Sequence, residues 1–352
     1  AWLCLALMLA AGIIAHHQKL SALLAVGILL LPATQYPATT WWSKPDLDRE
    51  YVLSLDVEHY FGNIQKMRKH LETDRQILWV TYYRNLYNAT HPSEINSPVS
   101  LSRNLLAWNQ PGTNGLILPV NPSASFLSIL FANELWFTLG DMTMAEHCAM
   151  LSMIFSPRNS GSRMIKRLAE INLVNGDDEA ALKYLRILDK TLLHKSWAEK
   201  RIPGQQTPRV KEWLEKKRRD IPTQDQLRSG NDAVTSLQNL VASNAGNLRA
   251  YEYLLCYHLL SKDLRSFVED YVPGKVSSPI FAEALLIHLA RQGNIRAEEL
   301  IKYQIPVEIA KEFADYTRLY EAKDTSLKEK YGKTYWFYYH FATTEPGKES
   351  KP

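Results

Sequence analysis

Apolar residues fill two blocks at the start of the chain and then recur at helical spacing through the remainder. Residues 1–15, AWLCLALMLAAGIIA, carry no charge, His16-His17-Gln18-Lys19 follow, and no charged residue occurs from Leu20 to Ser43. A membrane-spanning helix needs roughly 17–25 mostly apolar residues. The second block reaches that length if it runs from Leu20 to Tyr36. The first begins at Ala1 without a Met and reads as a truncated span. Trp41 and Trp42 stand just beyond the second block. Paired indoles suit the membrane–water interface, where the ring is apolar and the N–H stays wet. The pattern therefore predicts a transmembrane helical hairpin over 1–43. A signal peptide would need a basic segment ahead of one apolar core, and neither is present. A buried soluble hairpin is the rival reading, because both blocks are near the short limit. Lys19 in the loop and Lys44 and Arg49 on the far flank select no side of the membrane.

From about Asp46 onward, apolar positions follow the period of an amphipathic helix in blocks of roughly 12–16 residues, separated by short Gly, Asn, Asp or Pro breaks. Strand-like alternation is scarce, and the apolar run Leu116–Val120 is interrupted by Pro119. The breaks repeat. Leu139-Gly140-Asp141 is followed by Ala145, and Asn175-Gly176-Asp177 by Ala181, with the two glycines 36 residues apart. Glycine allows a tight turn between helices. The adjacent Asp can cap the second helix, and a small Ala lets the pair approach closely. The spacing resembles tetratricopeptide repeats, which recur about every 34 residues. Weaker copies stand at Gly62-Asn63, at Lys262-Asp263 and at Gly293-Asn294. The expected fold is all-α: a tetratricopeptide-like α-solenoid of helical hairpins behind the transmembrane hairpin.

The expected organisation is transmembrane helices over 1–43, helical repeats over 44–192, an irregular basic insert over 193–230, further repeats over 231–342 and a disordered tail over 343–352. The insert holds ten Lys and Arg between Lys195 and Arg228 against five acids, densest at Lys216-Lys217-Arg218-Arg219. It reads as a solvated helix face or as a patch for anionic lipid or an acidic partner. The aromatic run from Tyr331 to Phe341 reads as a terminal helix docked on the last hairpin, or as a groove or membrane contact.

Composition narrows the function classes. The chain has 352 residues, 46% hydrophobic, and a net charge of +4 from 41 basic and 37 acidic residues. That balance gives no electrostatic case for a nucleic-acid partner, and the apolar content excludes a disordered chain. Cys4, Cys148 and Cys256 are odd in number and show no CxxC spacing, so neither a disulfide framework nor a metal knuckle is indicated.

The run Arg163-Met-Ile-Lys-Arg-Leu-Ala-Glu-Ile-Asn-Leu-Val-Asn-Gly176, its continuation through Lys183–Thr191 to Trp197-Ala198, and Lys333-Thr-Tyr-Trp-Phe-Tyr-Tyr339 resemble a group of bacterial polytopic membrane proteins with a tetratricopeptide-like C-terminal half. The resemblance covers most of 45–342. It implies further membrane helices before residue 1 and a place in the bacterial inner membrane, and it brings no activity.

No catalytic constellation stands out. His16-His17 point apart if helical, Asp56-Val57-Glu58-His59 lacks a third ligand, and Glu146-His147-Cys148 splays adjacent groups that a thiol mechanism needs in contact. No cofactor or metal is expected. What remains is binding. First-helix positions of the hairpins line the inner face of such an array, and these are Glu134, Phe137, Arg163, Lys166, Glu170, Arg249, Glu252 and Glu283. The sequence reads as a membrane-anchored scaffold for a protein or peptide partner, with membrane lipid as its other contact, no nucleic acid, and no catalytic site in these residues. The alternative is the repeat domain of a larger integral-membrane enzyme, such as a glycosyltransferase, whose catalytic part lies upstream.

Overall fold

The structure, a computed structural model, describes residues 44–72, 77–91, 101–106, 115–118, 120, 126–155, 161–224 and 232–342. The predicted transmembrane hairpin over 1–43, its Trp41 and Trp42, and the tail 343–352 lie outside the described residues. Among those described, eighteen helices occur and no strand, and no helix is long and apolar enough to cross a membrane. The architecture is all-α.

The chain divides into two compact units, Ala1–Glu72 and Thr73–Pro352. In the first, α1 (Lys44–Tyr60) and α2 (Ile64–Leu71) pack on each other. Met67 and Leu71 are the buried positions of α2. They are four residues apart and so share one face.

The second unit opens with α3 (Leu78–Thr90) and the short α4 (Leu101–Asn104). Then α5 (Phe126–Leu139), α6 (Met142–Phe155), α7 (Ser162–Asn175) and α8 (Asp178–Asp189) follow, with α6 packed on α5, α7 on α6 and α8 on α7. The short α9 (Lys195–Glu199) lies on α8, and α10 (Pro208–Arg218) returns to α7. A second series, α11 (Ala233–Ser243), α12 (Leu248–Leu260), α13 (Leu264–Asp270) and α14 (Pro279–Arg291), also packs in order. After α15 (Ala297–Lys302), helices α16 (Val307–Glu321) and α18 (Tyr335–Phe341) both settle on α14, joined through α17 (Leu327–Tyr331). α4 touches both α12 and α14.

One backbone device ends helix after helix. A residue at positive φ stands just past the helix, and the next residue donates its N–H to a carbonyl five positions back. This is the left-handed cap that satisfies the last carbonyls of a helix. It occurs at Gly62, Gly140, Gly176, Lys262, Gly293, Gln304 and Lys323. Where Asp follows, it also starts the next helix: Asp141 accepts from Met144 N at 2.8 Å, Asp177 from Ala180 N at 2.9 Å and Asp263 from Ser266 N at 3.0 Å. Turn and cap together fold each helix back along its predecessor in two residues. The apolar faces then meet: Ala149, Met164 and Leu168 form one buried cluster, and Ala169, Leu185, Leu188 and Ala198 another.

The stretch expected to be an irregular basic insert holds two helices, α9 and α10, within the second unit. Of its basic run, Lys216, Arg218 and Arg219 are exposed and Lys217 is half-buried; Lys217 reaches the carbonyl of Phe137 at 3.4 Å and Arg218 the carbonyls of Leu173 and Val174 at 2.7 and 3.0 Å. Cations at the C-terminal carbonyls of α5 and α7 complement the negative ends of those helices. Asn247 and Arg249 of the second series reach the same end of α5, at Leu139 O and Thr138 O. The aromatic terminus is docked likewise: Tyr335 and Tyr338 donate to Leu259 O and Leu260 O at the end of α12.

Candidate functional site

The eight inner-face positions named from helix register do not form one open surface. Glu134 is buried and accepts from Arg163 at 2.8 Å and from Arg167 at 2.6 Å, one arginine on each carboxylate oxygen. Arg167 turns its second nitrogen to Glu170 at 3.1 Å. Phe137 is also buried, with the Arg167 guanidinium 3.8 Å and the Lys217 ammonium 4.5 Å from its ring centre. Lys166 lies over the Trp197 ring at 5.0 Å. Arg249 bonds Ala89 O and Thr138 O and pairs with Asp220 at 3.3 Å. Glu252, fully buried, accepts from both the N–H and the hydroxyl of Ser102. Six of these seven join one helix to another, and Glu170 pairs with Arg167 within α7.

The eighth, Glu283, borders a cleft of about 530 Å³ lined by Ser102, Arg103, Leu106, Ser278, Pro279, Ile280, Glu283 and Lys333. Three elements build it. α4 brings Arg103 and Leu106. The start of α14 brings Ser278 to Glu283. The turn between α17 and α18 brings Lys333. Local sequence explains the middle element. Ser278 is extended at the N-cap and Pro279 occupies the first helical position, where its missing N–H costs nothing. The four amides of a first turn lack intrahelical acceptors. Here Pro279 has none to offer, and Phe281 and Ala282 turn to Ser278 O.

The Ser278 side chain does not cap its own helix. Its hydroxyl is buried, the residue being 6% exposed, and it has no hydrogen-bond partner among the described residues. A buried polar group without a partner is unfavourable and calls for an explanation. Glu283 accepts from Tyr335 N at 2.5 Å. Burial lifts its carboxyl from the ordinary 4.5 to about 7; the Tyr335 N–H opposes the rise and Glu312 adds to it. Arg103 and Lys333 are exposed cations. The cleft thus joins two positive charges, a buried hydroxyl, a helix N-terminus and a carboxyl that titrates near neutrality. That arrangement favours an anion.

Register reasoning missed Arg103, Ser278 and Lys333. Ser277-Ser278-Pro279 was a readable helix start. Arg103 and Lys333 are 230 residues apart, and no local pattern joins them. Among the described residues, no three His, Cys, Asp or Glu side chains are placed to hold a metal ion, and Cys148 and Cys256 are buried and form no disulfide.

Fold and cleft together define an all-α protein of serially packed helical hairpins with a polar cleft in its second unit. Residues 1–342 match the model of a family described as a family of unknown function (DUF6057), and the chain belongs to that family. No curated protein and no solved structure matches it.

Proposed function

We propose that this chain is a membrane-anchored, tetratricopeptide-like scaffold that holds a protein or peptide partner on its helical array. The observation that carries the reading is the repeated left-handed turn with its Asp cap, which stacks α5 to α8 in series as helix-turn-helix repeats do. Such stacks are built to present an extended surface. In this reading residues 1–43 span the bacterial inner membrane, Trp41 and Trp42 sit at its interface, and lipid is the second contact.

Two experiments test it with the full chain. Fractionation should place the protein with membranes, released by detergent and not by salt. Affinity capture from detergent extracts should retain the same partner in repeated trials, and Arg103→Glu with Lys333→Glu should lose that partner while the melting temperature holds. A chain found in the soluble fraction, or capture that the double variant leaves intact, overturns the corresponding half of the proposal.

A further inference from the structure

Leu192 and Leu193 are 97% and 86% exposed, the highest values of any large apolar side chain among the described residues. Single exposed leucines are ordinary, but an adjacent pair on one apex is the kind of apolar surface that marks a contact. The turn that carries them is tightly bonded. The Thr191 N–H and hydroxyl both donate to Leu188 O, at 2.9 and 2.7 Å. The same hydroxyl accepts from His194 N at 3.1 Å, and Thr191 O accepts from Lys195 N at 3.2 Å. On either side of the turn, Leu188 and Ala198 belong to one buried cluster with Ala169 and Leu185. The His194 ring lies 3.2 Å from the Ser162 hydroxyl at the start of α7. The backbone therefore closes around Thr191, and the two leucines stand out as the apex between α8 and α9.

The surroundings of the apex are basic. Arg186, Lys190, Lys195 and Lys200 are exposed and stand within seven residues of the pair, and the exposed acids in that stretch are Asp189 and Glu199. Arg186 and Lys190 are four apart at the end of α8 and share a side of it. Lys195 comes only within 4.0 Å of Glu199, and both side chains are more than half in water, so that pair holds little of its charge back.

Resting on the reading that lipid is one of this chain's contacts, we propose that the Leu192–Leu193 turn dips into the surface of an anionic bilayer, with Arg186, Lys190, Lys195 and Lys200 meeting lipid phosphates around it. A lipid surface needs no matching groove, because acyl chains flow around a protruding side chain. The long stems of Lys and Arg lie along apolar material while their charged heads stay at the phosphates. Four cations reach the size of cluster, about 4–8 Lys or Arg, that anionic lipid attracts. A second copy of this chain fits worse. Seating one leucine pair on another about a two-fold axis sets each group of cations against its counterpart. The contact is separate from any span over residues 1–43, since every residue in it belongs to the second unit.

The test uses the full chain with Cys4→Ser, so that a thiol added by Leu193→Cys or by Glu179→Cys takes the fluorophore NBD while the buried Cys148 and Cys256 do not. Glu179 is exposed at the other end of α8. Each labelled protein is reconstituted with vesicles of phosphatidylcholine, with and without phosphatidylglycerol, carrying acyl-chain doxyl quenchers. With phosphatidylglycerol present, NBD at 193 should shift to the blue and be quenched, and NBD at 179 should do neither. Leu192→Ser, and separately Lys190→Glu with Lys195→Glu, should each cut the quenching at 193 by about twofold or more, with unchanged melting temperature.

A probe at 193 that stays in water overturns the proposal. So does a probe that shifts but escapes the doxyl lipid, which would put the leucines against protein. Quenching that needs no phosphatidylglycerol, or that survives the charge reversal, overturns the assignment to anionic lipid. If the probe at 193 stays in water in a chain that salt does not release from the vesicles, this inference falls and the anchor reading stands. If salt releases the chain and the quenching goes with it, the turn stands as a peripheral contact and the span over 1–43 falls. If chain and vesicles never associate, both fall.

Discussion

The backbone carbonyl of Asp220 lies directly against the α-carbon of Gly140. A Cβ at Gly140 would stand 2.7 Å from the Asp220 carbonyl carbon and nearer still to its oxygen. The turn between α5 and α6 is thus also the seat of the segment that follows α10. Gly176 has the same backbone, φ +81 against +92, but nothing within 4 Å of its hypothetical Cβ.

The pair separates two costs of losing a glycine. Gly176→Ala bears only the left-handed backbone penalty and should destabilise by about 1 kcal/mol. Gly140→Ala bears the same penalty plus a collision with backbone that cannot swing aside, about 2–4 kcal/mol in all. Urea unfolding of the two variants checks this. Equal losses would show that the Asp220 segment yields freely.

Glu134→Gln should cost about 3 kcal/mol by thermal or chemical unfolding, because it strips a buried carboxylate from two arginines. The paired variant Arg163→Leu should cost less, since Arg167 still holds Glu134. A Glu134→Gln protein of wild-type stability that no longer captures its partner would return Glu134 to the list of binding residues.

Asn247 holds three partners with one amide. Its Nδ2 donates at 2.7 Å to both Leu139 O and Asp220 O, and its Oδ1 caps α12 through Ala250 N at 3.0 Å. Loss of a cap costs about 1 kcal/mol and each orphaned buried carbonyl about as much. Asn247→Ala should therefore lose about 2–3 kcal/mol. Asn244→Ala should lose less, because its amide serves Arg219 O and Ile221 O nearer the surface.

Lys217 makes a pH prediction. Burial pulls its ammonium from 10.5 down to about 8, and Arg167 and Arg249 add to the fall. The folded state therefore prefers the neutral amine. Its contribution is present above the unfolded value of 10.5 and is lost as pH falls through 8. Comparing wild type with Lys217→Met from pH 8 to pH 10, the difference in unfolding free energy should move toward the wild type by about 1–2 kcal/mol. A flat difference would show a solvated ammonium.

How much of this was legible along the chain depends on where the cause lies. The turns at Gly140 and Gly176 are readable because glycine tolerates a left-handed backbone and the Asp beside it is a good cap. Gln304 and Lys323 make the same turn with residues that no turn rule marks. The inner-face positions were read by register, and register says only which residues share a side of a helix. It does not say what packs there. Phe137 is covered by Trp213 and Lys217 of α10, and Glu134 by Arg163 and Arg167 of α7. The insert's basic run is largely exposed, and only the fold shows that Lys217 and Arg218 also reach carbonyls at helix ends.

Alone, the order of residues determined that this chain is helical, where several helices stop, and that short hairpins follow one another. Those outcomes rest on contacts within about five residues, which periodicity and capping express directly. Only the tertiary structure decided that Arg103, Ser278 and Lys333 share a cleft and that Lys217 lies over the Phe137 ring. Those facts depend on long-range packing, in which the position of one helix is set by the faces of others hundreds of residues away.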